Sequence, residues 1–205
     1  MPFLLRVALP DVPGSLGRLA TAIGEAGGDI EAIEIVEKHH AGTAVDDVLL
    51  EMVPGAMPDS VVSACSALNG VEVIWISRYA AGGNIFLDLE VVEELTAHPH
   101  EAVDRLVELL PITFRVDWAA RLRRTETGSS VTTATPAAPL EIPWTDLKTA
   151  ERLPADDDHV TLHCGVPLGD DEVIVLGRDG GPEFLDSELA RLAHLVALAG
   201  TISRS

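Results

Sequence analysis

Basic residues are scarce in this sequence, and aromatic residues are scarcer still. The 205 residues include 14 Lys and Arg against 33 Asp and Glu, which gives a formal net charge of −19. Such a charge repels phosphate backbones and anionic lipid headgroups, so the composition argues against nucleic-acid and membrane-surface binding. Aromatic residues make up 4% of the chain, so its core must be mainly aliphatic. No apolar run reaches the length of about 18 residues that a membrane span needs, so we expect no membrane span.

Cysteine is nearly absent too. Cys65 and Cys164 are far apart and neither belongs to a C-x-x-C pair, so we expect no disulfide framework but two reduced thiols in a cytoplasmic protein. The histidines lack the paired spacing of a zinc site, and we expect neither a metal nor another cofactor. G-x-G-x-x-G, P-loop and G-x-S-x-G motifs are also missing. Because no nucleophile, base and orienting group can be placed together, the sequence argues against an enzyme.

The first 80 residues alternate between strand and helix patterns. Apolar periodicity predicts a strand at 3–9, a helix at 16–23, strands at 30–36 and 45–53, a helix at 59–68 and a strand at 71–77. Gly27-Gly28 ends the first helix, and Asp59 is the expected N-cap of the second. The order βαββαβ predicts an α+β, ferredoxin-like domain, in which two helices cover one face of an antiparallel sheet.

The rest of the chain predicts a second α+β domain with an antiparallel sheet. The patterns indicate helical segments within 88–110 that Pro99 separates, strands at 113–119, 159–166 and 172–177, and a helix that Asp186 caps. The stretch 125–139, TETGSSVTTATPAAP, has no apolar periodicity and predicts a mobile loop. Small residues at 80–84 mark a joint, so we expect domains at 1–80 and 85–205.

The turn that follows the first strand, residues 11–16, carries the chemistry of a binding site. The start of a helix offers unpaired N–H groups and a positive dipole end to a carboxylate. Gly14 lets a ligand approach the backbone, and Asp11 is positioned to accept a hydrogen bond from an ammonium group. These features predict a site for a free amino acid. An ordinary turn, with Asp11 as a local cap, is the alternative that the residues leave open.

Two motifs on this strand order resemble the ACT domain family. The strand LLRVALP runs into the turn DVPG with a following Leu, and the sequence GGDI leads into the second strand. The resemblance covers about residues 3–79 and departs at position 29, where the family more often has Asn. It implies that a small amino acid binds between two copies, with the second strand of the partner closing the pocket. The implied ligand-binding residues are Asp11, Val12, Pro13, Gly14, Ser15, Leu16, Asp29 and Ile30.

The segment of roughly residues 86–203 resembles a shortened GAF domain. The resemblance rests on its strands, on the sequence EVIVLGRDGGPEFLDSEL and on the final apolar helix. Together the two resemblances imply a non-catalytic regulatory or sensor protein that binds a small amino acid. A protein-interaction adaptor that has lost the ligand site is the alternative, and a small enzyme is a third possibility.

We also expect a symmetric homodimer. The two helices of the first domain cover only one face of its sheet, so the other face is left for solvent or for another copy. The last helix is apolar on most of its circumference, which is typical of a buried helix. Its apolar residues are Leu185, Leu189, Leu192, Leu195, Val196 and Leu198.

Overall fold

The structure is a computed structural model that describes residues 2–39, 42–78, 84–154 and 161–205, with the backbone alone for 84–86. The chain divides into two compact units, residues 1–81 and 82–205. The expected joint at 80–84 lies outside the described residues except for Asn84, and so does the expected strand start at 159–160. Among the described residues, no helix is long and apolar enough to cross a membrane.

The first unit is a four-stranded antiparallel sheet with two helices. Its elements are β1 (Pro2–Pro10), α1 (Ser15–Glu25), β2 (Gly28–His39), β3 (Thr43–Met52), α2 (Pro58–Ser66) and β4 (Glu72–Arg78). The sheet order is β2-β3-β1-β4, so the predicted βαββαβ arrangement of an α+β domain is confirmed. The prediction of Asp59 as N-cap is wrong. Met57 caps α2, and Pro58 occupies the first helical position, where its missing N–H costs no hydrogen bond.

The core of the first unit lies between the sheet and its two helices. Alternate side chains of the central strands meet apolar residues of α1 and α2, and the buried set includes Leu5, Val7, Leu9, Leu19, Ile23, Val48, Leu50, Val61 and Cys65. Gly27 has a φ of +86° just after α1 ends. A Cβ at Gly28 would lie 2.6 Å from Cγ2 of Ile23. The glycine pair therefore turns the chain and lets β2 pass close to the helix.

The second unit combines three helices with a five-stranded sheet. Its elements are α3 (Asn84–Ala97), a single 3-10 turn (Pro99–Glu101), α4 (Ala102–Phe114), β5 (Trp118–Thr125), β6 (Gly128–Ala134), β7 (Glu151–Leu153), β8 (Thr161–Pro167), β9 (Glu172–Asp179) and α5 (Asp186–Ile202). The sheet order is β6-β5-β9-β8-β7, with each neighbouring pair antiparallel. The predicted second α+β domain with an antiparallel sheet is therefore confirmed, as is the break at Pro99.

Different parts of the second unit cover the two faces of its sheet. On one face, apolar residues of α4 and α5 pack against Ile174 and Leu176 of β9. This core buries much of the apolar circumference of α5, namely Leu189, Leu192, Leu195 and Val196. On the other face, Ile142 from the segment between β6 and β7 packs with Trp118 and Val175. The apolar pattern of α5 therefore has an explanation within one chain.

Three predictions for the second unit are wrong. Leu185, not Asp186, is the N-cap of α5, and Asp186 is the first helical residue. The stretch 125–139 is not a loop throughout, because Gly128–Ala134 form β6, which pairs with β5. β6 is an edge strand whose β-branched Val and Thr residues favour extended backbone without an alternating apolar pattern. The strand expected at 113–119 begins only at Trp118. α4 continues to Phe114, and Arg115 ends it in the left-handed conformation with a φ of +52°.

Gly177 gives a direct test of packing in the second unit. It pairs in register with Trp118, and a Cβ at this position would overlap the indole ring. We expect Gly177→Ala to lower the free energy of unfolding by about 1–3 kcal/mol, the usual cost of overpacking a core. Gly169→Ala is the control, since nothing lies within 4 Å of its added Cβ. Urea denaturation that finds the two variants equally stable would contradict this account.

Candidate functional site

The site expected from the sequence lies where β1 passes into α1. Gly14 is the N-cap of α1 and has a φ of +89°. The amide of Ser15 donates to the Val12 carbonyl at 3.1 Å, so the turn itself uses that N–H group. Among the described residues, no acceptor contacts the amides of Leu16 and Gly17. These amides stand at the positive end of the helix dipole, where an anion is favoured.

Arg18 adds a cation to this turn that the sequence motifs do not indicate. Its guanidinium donates to Oγ of Ser15 at 3.1 Å. Nη1 lies 4.0 Å from where a Cβ of Gly14 would stand. In the described part of the chain, Arg18 has no carboxylate partner. A carboxylate bound at the start of α1 would therefore meet a guanidinium as well as backbone amides.

Asp11 is paired with Lys38 in this structure. Nζ of Lys38 lies 3.0 Å and 3.3 Å from the two carboxylate oxygens, and both side chains are exposed. An exposed ion pair of this kind contributes about 0–1 kcal/mol, so another cation can exchange with Lys38 at low cost. The amide of Asp11 donates to the Gly42 carbonyl at 2.9 Å, which ties the turn to the connection between β2 and β3.

Two adjacent aspartates of β3 point to opposite faces of the sheet. Asp47 pairs in register with Arg6, whose guanidinium donates to both carboxylate oxygens at 2.7 Å and 2.9 Å. Asp46 pairs in register with Val7, a core residue, and so points to the face that the helices cover. Asp46 is 1% exposed. Its Oδ1 atom is buried and has no hydrogen-bond partner among the described residues.

The charge of Asp46 interacts with the ion pair at the turn. Burial raises the pKa of Asp46, the charges of Asp11 and Asp47 raise it further, and Lys38 acts in the opposite direction. Asp46 therefore interacts with the ion pair at the turn as well as with its neighbour in β3. A further positive charge near Asp11 is favoured because it lowers the cost of the ionised Asp46. The turn thus offers donors to a carboxylate and negative charge to an ammonium group.

Asp29 and Ile30 do not join this turn within one copy of the chain. They begin β2 at the end of the sheet where β1 also begins, with β3 between the two strands, whereas Asp11 follows the C-terminal end of β1. Asp29 instead borders a hollow of about 680 Å³ that also includes Arg78 and the loop between β3 and α2. The expected ligand-binding residues therefore form two groups at opposite ends of the sheet.

A cavity of about 470 Å³ lies in the second unit. Trp118 and Val175 form part of its apolar wall, while Glu141, Thr145 and His163 supply polar groups. The Trp118 and His163 rings are 5.5 Å apart between centroids. The size and the mixed lining are typical of a small-molecule site.

Cys65 and Cys164 are free and buried. Burial raises the pKa of Cys65 to about 11 and that of Cys164 to about 12, so both thiols stay protonated at neutral pH. A protonated, buried thiol is a poor nucleophile and a poor metal ligand. Across the described residues, no three His, Cys, Asp or Glu side chains are grouped so that they could hold a metal ion.

Comparisons with known proteins give likenesses of structure alone. No protein-family model matches the sequence, and no curated protein matches it. The chain is similar to the GAF domain of an Acinetobacter phosphoenolpyruvate-protein phosphotransferase, at 13% identity over 61% of this chain and 95% of that chain, with a TM-score of 0.47. It is also similar to the free methionine-R-sulfoxide reductase from Neisseria meningitidis, at 12% identity over 62% and 94%, with a TM-score of 0.48. An unknown protein from Galdieria sulphuraria is similar at 14% identity over 99% and 91%, with a TM-score of 0.34.

The neighbouring aspartates of β3 should respond to amide substitution in opposite directions. The fold raises the pKa of Asp46, so the cost of its charge grows as the pH rises through that pKa. We therefore expect Asp46→Asn to raise the free energy of unfolding at about pH 7, and the gain to vanish at about pH 3, below the ordinary pKa of an aspartate. Urea denaturation at the two pH values measures both effects.

Asp47→Asn is the matched control for this prediction. It leaves the buried guanidinium of Arg6 without its full charge partner, so we expect it to cost about 3–5 kcal/mol at neutral pH. If both variants change stability in the same direction at about pH 7, the assignment of the two carboxylates to different environments is wrong.

Proposed function

We propose that this chain is a non-catalytic regulatory protein and that its first unit, an ACT-like domain, binds a small amino acid at the start of α1. Asp46 carries the proposal. A buried carboxylate oxygen without a hydrogen bond costs stability, and no other group of the described fold makes use of it. Its charge acts on a turn that also presents free amides. The turn therefore offers negative charge to the ammonium group of an amino acid and hydrogen-bond donors to its carboxylate.

The carboxylate of the ligand accepts hydrogen bonds from the amides of Leu16 and Gly17 and from Arg18. The helix dipole adds the equivalent of about half a positive charge at the same point. Gly14 adopts a φ of +89°, which forms the turn, and it has no side chain that would keep a ligand away from the backbone. These groups are donors or cations, so together they select an anionic group.

The ammonium group of the ligand takes the place of Lys38 at Asp11. The contact is charge-assisted in both cases, so exchanging one ammonium for another loses little. Asp46 is too deeply buried to contact the ligand and acts through its field, which favours positive charge beside Asp11. A free amino acid supplies both the carboxylate that Arg18 and the free amides bind and the ammonium group that Asp11 binds.

A second copy of the chain completes this site in our proposal. β2 is an edge strand, and it exposes 37% of Ile33 and 45% of Ile35. An exposed edge strand is a template for pairing with another chain. Two copies related by a twofold axis pair their β2 strands antiparallel, which brings the start of each β2 strand beside the end of the partner's β2 strand. That pairing brings Asp29 and Ile30 of one copy toward the turn of the other.

Isothermal titration with the twenty amino acids tests the ligand site. We expect the parent protein to bind at least one, and Asp11→Ala to weaken that binding up to about fivefold, the equivalent of an exposed charge pair of about 1 kcal/mol. Gly14→Val should weaken it at least as much, because a β-branched residue disfavours positive φ. Asp59→Ala is the control, since Asp59 is also an exposed acid at the start of a helix.

Two outcomes would change the conclusion. If both variants bind the amino acid as tightly as the parent protein, the site lies elsewhere. In that case the cavity of the second unit is the second candidate, and His163→Ala or Glu141→Ala should abolish binding. If the parent binds no amino acid at millimolar concentration, the adaptor function replaces the ligand-binding one.

Charges placed at the centre of β2 test the role of the second copy. Ile33→Lys brings like charges together across the middle of the proposed strand pair, and we expect it to weaken the dimer about 2–30-fold, from two cross-strand contacts of about 0.2–1 kcal/mol each. Ile74→Lys is the control, since Ile74 is 38% exposed on β4, at the opposite edge of the sheet, and this variant should leave the dimer intact. Sedimentation velocity measures both. A parent protein that sediments as a monomer at micromolar concentration would overturn this part of the proposal.

A further inference from the structure

Lys148 and Arg204 of the second unit are unusual cations for so acidic a chain. Acidic residues outnumber basic ones by 33 to 14, and most described cations contact a carboxylate. Neither Lys148 nor Arg204 has a carboxylate partner in the part of the chain that the structure describes. Both line the same groove.

The groove has a volume of about 340 Å³ and runs between the C-terminal half of α5 and the end of β8. Its floor is apolar, and Val166, Val196 and Gly200 are buried there. At Gly200, an added Cβ would lie 3.4 Å from Nη1 of Arg204. The guanidinium therefore lies close over the helix backbone, at the border of the apolar floor.

We propose that this groove binds a carboxylate that is carried on a short aliphatic chain. The apolar floor takes the chain, and the guanidinium of Arg204 presents two parallel donors to the carboxylate, with Lys148 as a second positive charge. The excess of acidic residues repels an anion from much of the surface, so two cations without carboxylate partners beside one groove mark a favourable place for an anion. The groove lies in the other unit and takes a different ligand chemistry, so it does not depend on the amino-acid site.

A phosphate group fits this groove less well than a carboxylate. The groove adjoins the C-terminal end of α5, whose carbonyl groups give it the negative end of the helix dipole. That dipole opposes a dianion more than a monoanion. The floor also offers apolar contact, which only a ligand with an aliphatic part can use.

Titration calorimetry of the full chain with butanoate, pentanoate and hexanoate tests the proposal. We expect the affinity to rise about fourfold with each added methylene group that is buried. Hexylamine and hexanamide, which match hexanoate in length, should not bind. If hexanamide binds as tightly as hexanoate, or if none of the acids binds, the proposal is overturned.

Variants locate the site independently of the amino-acid turn. Arg204→Gln and Lys148→Gln should each weaken hexanoate binding, by about 10–150-fold for the guanidinium. Ala197→Phe fills the groove from an exposed position of α5 and should abolish binding while the protein stays folded. Arg78→Gln is the control, because Arg78 is an exposed cation of the first unit. A loss of affinity in Arg78→Gln equal to that in Arg204→Gln would overturn the assignment.

The same chemistry occurs in a free short-chain acid and at the C-terminus of a peptide that ends in an aliphatic residue. An acetylated Ala-Ala-Leu peptide with a free carboxylate, compared with its amide, separates the two sources. Tighter binding of the peptide acid than of hexanoate, with no binding of the amide, assigns the groove to a peptide C-terminus. Tighter binding of hexanoate assigns it to a free acid. Asp11→Ala should leave both affinities unchanged, so failure of the amino-acid site and failure of the groove are distinguishable.

Discussion

The placement of two adjacent carboxylates in a central strand governs the first unit. Side chains of a strand alternate between faces, so Asp46 and Asp47 cannot share a partner. Arg6 on β1 neutralises Asp47 from the directly opposite register position. A slip of one residue between β1 and β3 would break that ion pair and place Asp47 on the helix side. The register that satisfies Asp47 is therefore the register that leaves Asp46 in the core, beneath the helices and near the turn at Asp11.

Cations serve a structural purpose in the second unit. Arg178 is buried and donates to the carbonyl of Phe114 at 2.9 Å, and Arg191 donates to the carbonyl of Thr113 at 3.1 Å. These carbonyls lie in the last turn of α4, where the helix leaves acceptors without internal partners. The guanidinium groups also face the rings of Phe184 and Phe114. Cations are few in this chain, and several of them are used inside the fold. The surface cations without carboxylate partners are therefore the candidates for binding an anionic ligand.

The order of elements in the first unit followed from local pattern, whereas the electrostatics of its turn did not. Gly27-Gly28 and the apolar runs are local signals, and they gave the correct strand and helix order. Lys38 meets Asp11 only because the β2–β3 hairpin returns to the end of β1, 27 residues along the chain. The acidic pair at 46–47 within an apolar strand was the available signal for a buried charge. β6 was missed because an exposed edge strand has no buried face to impose an apolar alternation.

Retaining an unpaired carboxylate in a core is costly, and local features that lower stability are characteristic of functional sites. The cost at Asp46 depends on the charges around it, since Asp11 raises its pKa and Lys38 lowers it. When the ammonium group of a ligand takes the place of Lys38 at Asp11, it supplies the positive charge that compensates both Asp11 and Asp46. The ligand site and the buried carboxylate therefore share one electrostatic balance, in which any cation at Asp11 lowers the cost of the charge on Asp46.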